Sequence, residues 1–276
     1  MRWLHFILSH SIFIATCSVA MVFQTSQLLH HNINPFVYGF VFFATLCSYN
    51  FYWILSKLAF VPGKVRADLL KREMTGVLLL LISAAGLLYC LYRTALPSFL
   101  IVTAGLLTII YAMPLLPFRV LHFTRKAGVL KTILLAFTWA YVTVLIPIQK
   151  SYDALSRADL FVFSRRFLFM LMLCIIFDNR DKHVDKIRGL HSLATDLRPA
   201  VLTGLIYIIF AALFVSNFLY AGHGITFYQS MALQVSTIAL LIVYFFSAKE
   251  RGYLFYYFLV DGLMLFSALA TFIAGI

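Results

Sequence analysis

The sequence predicts an all-α polytopic membrane protein with nine transmembrane helices. Of its 276 residues, 63% are hydrophobic and 12% are charged, and the mean hydropathy is +0.94. Soluble domains are about half apolar and about a quarter charged. The apolar residues form continuous runs, and about 20 helical residues cross the roughly 30 Å of hydrocarbon in a bilayer. Continuous rather than alternating hydrophobicity indicates helices and not a β-barrel.

Nine apolar runs are expected to cross the membrane, and no soluble domain interrupts them, so residues 1–276 form a single domain. Only Arg2 and Trp3 lie ahead of the first run, and a small-residue cleavage site is missing, so we expect that run to be a retained span. The predicted spans are 4–24, 35–59, 75–93, 97–115, 130–149, 162–178, 199–221, 228–247 and 253–275.

The distribution of basic residues predicts the orientation. Lys and Arg are concentrated at the amino terminus and in the loops after spans 2, 4, 6 and 8. The positive-inside rule then places the amino terminus in the cytoplasm and the carboxyl terminus outside. We expect the bacterial inner (plasma) membrane as the host. The net charge of +12 is mostly a topology signal, with attraction to anionic membrane lipid as a second consequence, and no nucleic-acid-binding motif is present.

The stretch FDNRDKHVDKIRGLHS, residues 177–192, clusters acidic residues at the end of span 6. On a helix Asp178, Asp181 and Asp185 project within roughly 60° of each other. Because like charges repel, some partner must offset that cost. Lys182 could form a surface ion-pair ladder with Asp178 and Asp185, the helix end could be solvated, or the carboxylates could hold Mg²⁺ shared with substrate phosphates.

This loop resembles the second Asp-rich motif of the UbiA superfamily of intramembrane prenyltransferases. That superfamily usually has the pattern RD-x-x-x-D-x-x-x-G-x-x-[ST]-L, and nine helices match its span count. The resemblance implies a helical bundle with a cytoplasmic-side cap, in which Mg²⁺ helps to bind a prenyl diphosphate and the isoprenoid is transferred to a lipophilic, often aromatic acceptor. The matching residues are Arg180, Asp181, Asp185, Gly189, Ser192 and Leu193.

The first motif of that superfamily, N-x-x-x-D-x-x-x-D, is only partly present at the end of span 2. Asn50 is retained, but Ile54 and Leu58 occupy the two aspartate positions. Carboxylates for a second metal ion are therefore missing. Lys57 lies within about 20° of Asn50 on the same helix face, where its ammonium could neutralise diphosphate charge or could instead snorkel to the membrane surface.

The resemblance implies roles for several residues at the cytoplasmic side. Asp181 and Asp185 are the expected catalytic residues, which hold Mg²⁺ with help from Asp178. Asp261 is an acid within span 9, and such residues are costly unless they are paired or hydrated. The expected substrate-binding residues are Asn50, Lys57, Tyr111, Arg119, Lys131 and Arg180.

Three functions remain open at this point. The first is Mg²⁺-dependent prenyl transfer. The second is a catalytically degenerate protein that binds an isoprenoid lipid or acts as a scaffold, since the first motif is eroded. The third is transport of a small molecule, although transporters usually place their acids near the bilayer midplane. A general base is not obvious, because His183 and His191 lie in a loop where histidines are commonly just solvated.

Overall fold

The computed structural model describes residues 2–59, 73–113, 128–189, 191–220 and 225–276, and the regular elements in these ranges are helices. A π-helical turn, Tyr141–Leu145, extends the helix Gly128–Ala140 into Ile146–Ile148, and another, Phe255–Val260, leads into the helix Asp261–Ile273. The helices are α1 Arg2–Ser9, α2 Ile12–Leu29, α3 Pro35–Ala59, α4 Met74–Arg93, α5 Ser98–Ala112, α6 Gly128–Ala140, α7 Arg157–Arg188, α8 Leu193–Asp196, α9 Pro199–Leu219, α10 Phe227–Ser247 and α11 Asp261–Ile273.

Eight helices in the described ranges are long and apolar enough to cross a membrane, so the membrane character predicted from composition is confirmed. The predicted span 97–115 corresponds to α5, whose 15 residues extend only about 22 Å. A nine-span count therefore stays a prediction.

The predicted first span, 4–24, was wrong in its bounds, because the chain breaks there into α1 and α2. Ser11 adopts a left-handed conformation with φ of 62°, which a continuous α-helix does not allow. The hydroxyl of Ser9 donates to the carbonyl of Phe6 at 3.2 Å, which also accepts from the backbone N–H of His10 at 3.1 Å. The first membrane-length helix is consequently Ile12–Leu29.

Helix α7 is longer than the predicted span 162–178. Its 32 residues extend about 48 Å at about 1.5 Å per residue, whereas the hydrocarbon layer is about 30 Å thick. The helix therefore continues past the apolar run and includes Asp178, Asp181 and Asp185. It packs against α2, α6, α9 and α10.

Arg166 on α7 is buried in the middle of this packing, with 1% of its surface exposed. Its guanidinium donates to acceptors on two neighbouring elements, α2 and the π-helical turn that follows α6. These acceptors are Met21 O at 3.0 Å, Gln24 Oε1 at 2.9 Å, Thr25 Oγ1 at 3.4 Å and Thr143 Oγ1 at 3.0 Å.

Two further contacts extend the Arg166 network. Pro147 has no N–H, so the carbonyl of Thr143 lacks its usual donor four residues on, and the hydroxyl of Thr25 donates to it at 2.8 Å. Gln24 donates from Nε2 to Ser267 O at 3.0 Å on α11. The arginine thus links four elements of the bundle.

Arg165 lies on the adjacent side of α7 and begins a second network. It is 4% exposed, and its Nε donates to Asn217 Oδ1 on α9 at 2.8 Å. Asn217 in turn donates to Gln234 at 3.2 Å and Thr237 at 3.3 Å on α10. The Nη2 atom of Arg165 is buried without a hydrogen-bond partner, so the hydrogen-bond donors of Arg165 are less completely paired than those of Arg166.

The two arginines give a matched test of what stabilises the bundle. Arg166→Met removes four interhelical donors, and at roughly 0.6 kcal/mol per hydrogen bond between membrane helices it should cost about 2–3 kcal/mol. Arg165→Met removes one bond and one unpaired donor, so its effect should be under about 1 kcal/mol. Denaturant titration of both variants in the same detergent measures this, and equal losses would contradict the assignment.

Candidate functional site

The carboxylates of α7 lie at one end of the bundle, which we call the aspartate end. Lys131 on α6 interacts electrostatically with Asp178, Asp181 and Asp185 and with Tyr52. One lysine thus lies within electrostatic range of all three acids. The predicted clustering of the acids on one continuous helix is confirmed.

Aromatic rings from two other helices flank Lys131. Its ammonium lies 5.9 Å from the ring centroid of Tyr111 on α5. The Tyr111 ring stacks on Tyr52 of α3, with 5.2 Å between centroids. Of the predicted substrate-binding residues, Tyr111 and Lys131 are therefore brought together beside the acids, and Tyr52 is a neighbour that the sequence did not identify.

Asp178 has a structural role. Its Oδ2 accepts from the Thr132 hydroxyl at 2.5 Å and from the backbone N–H of Leu193 at 3.2 Å. These bonds fasten α7 to α6 and to the start of α8. A role of Asp178 in holding a metal stays a prediction and would fall to its other oxygen, because Oδ2 already has two donors.

Asp181 forms an ion pair with Arg180. Both carboxylate oxygens accept from the guanidinium, at 2.7 Å each. The guanidinium also lies over the rings of Phe177, Tyr256 and Tyr257, with 4.8 to 5.2 Å to the centroids. Arg180 is thus the counter-ion of Asp181, whose side chain is 43% exposed.

The described residues at the aspartate end could form a metal site with two carboxylate ligands, and a larger set of protein ligands is not found among them. Across the described ranges, groups of three or more His, Cys, Asp or Glu that could hold a metal ion are not found. Mg²⁺ at phosphate sites commonly uses one or two carboxylates and takes its other ligands from water and substrate. Asp181 and Asp185, one helical turn apart, fit that requirement, since a carboxylate has about four lone-pair positions and Arg180 occupies two of those on Asp181.

Asn50 and Lys57 line a different cavity, of about 190 Å³, together with His10 and Trp53. The prediction that they share a helix face is confirmed. However, the lining of this cavity includes none of the three aspartates. Asn50 donates to His10 O at 3.2 Å and to Leu46 O at 2.8 Å.

The ammonium of Lys57 already has a partner, because it forms an ion pair with Glu73. It also lies 4.6 Å from the Trp53 ring centroid. That Asn50 and Lys57 act on the same group as the aspartates stays a prediction, and the ion pair that Lys57 forms on this face of α3 is with Glu73. Arg119, the other predicted anion-binding residue, lies outside the described residues.

The remaining motif positions shape the end of α7. Gly189 has φ of 64° and its N–H donates to the carbonyls of Asp185 and Lys186, the usual ending of a helix at glycine. The chain then passes over Gly128 at the start of α6. A Cβ at position 128 would lie 2.3 Å from the backbone of His191 and Ser192, so only glycine allows this approach.

Asp261 on α11 is an interior acid on the same side of the bundle. It is 5% exposed, and it interacts electrostatically with Arg180, Tyr49 and Cys174. Arg165 and Arg166 were missed as interior charges, since sequence reasoning treated them only as part of the basic count. Two consecutive arginines inside an apolar run were the available signal.

Comparison of the chain with protein-family models, curated proteins and solved structures finds no match. The function of the chain is therefore inferred from its own residues.

The close approach at Gly128 can be tested with a matched glycine. Gly128→Ala must displace residues 191–192, and such overpacking costs about 1–3 kcal/mol. Gly204→Ala on α9 has no atom within 4 Å of the new Cβ and should be neutral or stabilising by up to about 1 kcal/mol. Thermal unfolding in detergent, with proteolysis of the 189–198 segment, compares them. Equal unfolding temperatures and equal proteolysis of the two variants would contradict the close packing of residues 191–192 on Gly128.

Proposed function

We propose that the chain is a UbiA-like intramembrane prenyltransferase that moves an isoprenoid from a prenyl diphosphate to a lipophilic acceptor. The observation that supports this most is the gathering of Asp181, Asp185 and Lys131 at the end of α7, with tyrosine rings beside them. The charges suit a metal-bound diphosphate, and the rings suit a hydrocarbon chain. In this proposal the aspartate end faces the cytoplasm.

Each charged residue at the aspartate end would have a separate role in binding a diphosphate. Lys131 would attract the phosphate oxygens directly, as a compact ammonium can. Asp181 and Asp185 would hold Mg²⁺, which when bound supplies positive charge against the diphosphate. Arg180 holds Asp181 in place through two bonds of 2.7 Å and so orients the first carboxylate.

The transfer itself would break the bond between C1 of the prenyl chain and the diphosphate oxygen, and both electrons would leave with diphosphate. An electron-rich atom of the acceptor then forms a bond to C1 and releases a proton. Tyr52 and Tyr111 stack on each other and Tyr49 packs with Trp139. Aromatic rings of this kind would stabilise an allylic cation that comes to lie over a ring face.

One observation favours the alternative, a catalytically degenerate protein that binds an isoprenoid lipid or serves as a scaffold. On α3, Asn50 bonds to backbone carbonyls and Lys57 pairs with Glu73. These residues of the first motif region are already satisfied within the protein. Among the described residues, neutralisation of the diphosphate charge then falls to Lys131 and the second motif.

The catalytic proposal predicts a strict dependence on Asp185. Membranes containing the protein, supplied with a prenyl diphosphate, candidate acceptors and Mg²⁺, should yield a prenylated product detectable by mass spectrometry. Asp185→Asn should lower product by about a hundredfold or more, because loss of electrostatic stabilisation at a reacting charge commonly costs that much. Asp153→Asn, which removes an exposed acid far along the chain, is the control.

A chelator should abolish product as the Asp185 variant does. If the wild type makes no product with any prenyl chain but still binds prenyl diphosphates, the degenerate function replaces the catalytic one. If it neither binds nor transforms them, both forms of the proposal are wrong.

Substitutions of Lys131 and Lys57 are expected to have different effects on prenyl diphosphate binding. Lys131→Gln should weaken prenyl diphosphate binding by about 1.5–3 kcal/mol, the usual range for a hydrogen bond to a charged group. Lys57→Gln should change it by under about 0.5 kcal/mol, because its ammonium faces Glu73 in another cavity. Fluorescent prenyl diphosphate titration measures both. A larger effect at Lys57 than at Lys131 would overturn this division.

A further inference from the structure

A second, basic cavity lies on the other side of α7. It has a volume of about 520 Å³ and lies between the last turns of α7 and the segment 247–251 that follows α10. A single acid, Glu250, is among its lining residues. Its basic lining residues are Arg180, Lys182, His183, Lys186, Lys249 and Arg251.

The lysines of this cavity have no carboxylate within ion-pair distance among the described residues. Among the residues that the structure describes, the basic residues with a carboxylate within ion-pair distance are Lys57, Lys150, Arg180 and His191. The three cavity lysines are absent from that set. Positive groups of like sign converge on a concave surface, and such a site attracts anions more strongly than isolated surface charges do.

Helix geometry separates this cavity from the aspartates. At about 100° per residue, Lys182 and Lys186 project roughly 40° and 80° from Asp178 in one direction, whereas Asp181 and Asp185 project in the other. One helix therefore presents acids on one face and bases on the next. The lysines are free to bind a ligand that does not reach the carboxylates.

The other wall of the cavity is fixed by Arg251. Its Nε donates to the carbonyl of Phe246 at 2.9 Å, and its guanidinium lies 5.6 and 5.7 Å from the ring centroids of Phe246 and Phe255. The segment joins two membrane-length helices, so the cavity opens at the membrane boundary. Phosphate groups of lipids are found at this depth, and soluble phosphates also reach it.

We propose that this cavity is a phosphate-binding site, occupied by the headgroup of an anionic phospholipid or by a soluble phosphate or diphosphate. Lys182 and Lys186 provide one wall, Lys249 and Arg251 provide the other, and the phosphate binds between them. This site goes beyond the prenyl-transfer proposal: neither Lys131 nor Asp185 lines the cavity, and the residue common to the two sites is Arg180, which lines the cavity and pairs with Asp181.

The test uses the full chain in phosphatidylcholine nanodiscs, with and without phosphatidylglycerol. Native mass spectrometry measures retained phosphatidylglycerol, and calorimetry measures binding of inorganic pyrophosphate. Lys182→Gln/Lys186→Gln removes one wall, and Lys249→Gln tests the other. The matched control, Arg157→Gln/Arg198→Gln, removes two exposed charges outside the cavity.

The wild type should bind at least one probe saturably, and the Lys182/Lys186 variant should bind it about tenfold or more weakly, since each basic residue near a membrane surface contributes about 1 kcal/mol. The control should stay near the wild type. Retention of phosphatidylglycerol alone identifies the headgroup, and pyrophosphate binding identifies the soluble ligand. Saturable binding of neither probe, or an equal loss in the control, would overturn the proposal.

Discussion

Two consecutive arginines buried among apolar helices, Arg165 and Arg166, are the constraint on which the rest of the bundle depends. A guanidinium in hydrocarbon is costly unless its donors find acceptors, and a carboxylate partner is not found for either within the described ranges. The acceptors come instead from side chains and carbonyls of the surrounding helices. Because the two side chains leave α7 about 100° apart, Arg166 organises α2, α6 and α11 while Arg165 organises α9 and α10. The position of α7 within the bundle follows from these bonds.

A fixed α7 determines what the opposite end of the helix can do. The helix continues past the apolar run, so its last turns carry Asp181 and Asp185 next to Lys131. Asp178 connects α7 to the elements beside the aspartate end, since it accepts hydrogen bonds from Thr132 on α6 and from the first residue of α8. Loss of Asp178 would therefore disturb the site through the loop that it holds, and such a loss would be easily mistaken for loss of a metal ligand.

The fold class and the acidic face could be predicted from the sequence because each depends on local pattern. Long apolar runs indicate helices in a membrane, and spacings of three and four residues place acids on one helix face. What that face meets depends on tertiary packing. The shared face of Asn50 and Lys57 was predicted, but Glu73 as the partner of Lys57 was not. The break at Ser11 also has no strong signal, since serine and histidine are ordinary helix residues in such a run.

The altered first motif makes physical sense once the face of Asn50 is known. Ile54, which occupies the position of the first aspartate in the motif that this stretch partly resembles, is buried, with 7% of its surface exposed, about 40° around α3 from Asn50. A carboxylate at this position would lose its hydration, and among the described residues the cation that lines this cavity is Lys57, which is already paired with Glu73. An apolar residue removes this penalty. An apolar side chain at position 54 therefore suits a packed face, whereas the described charged residues that lie within electrostatic range of one another at the aspartate end are Lys131 and the acids of α7.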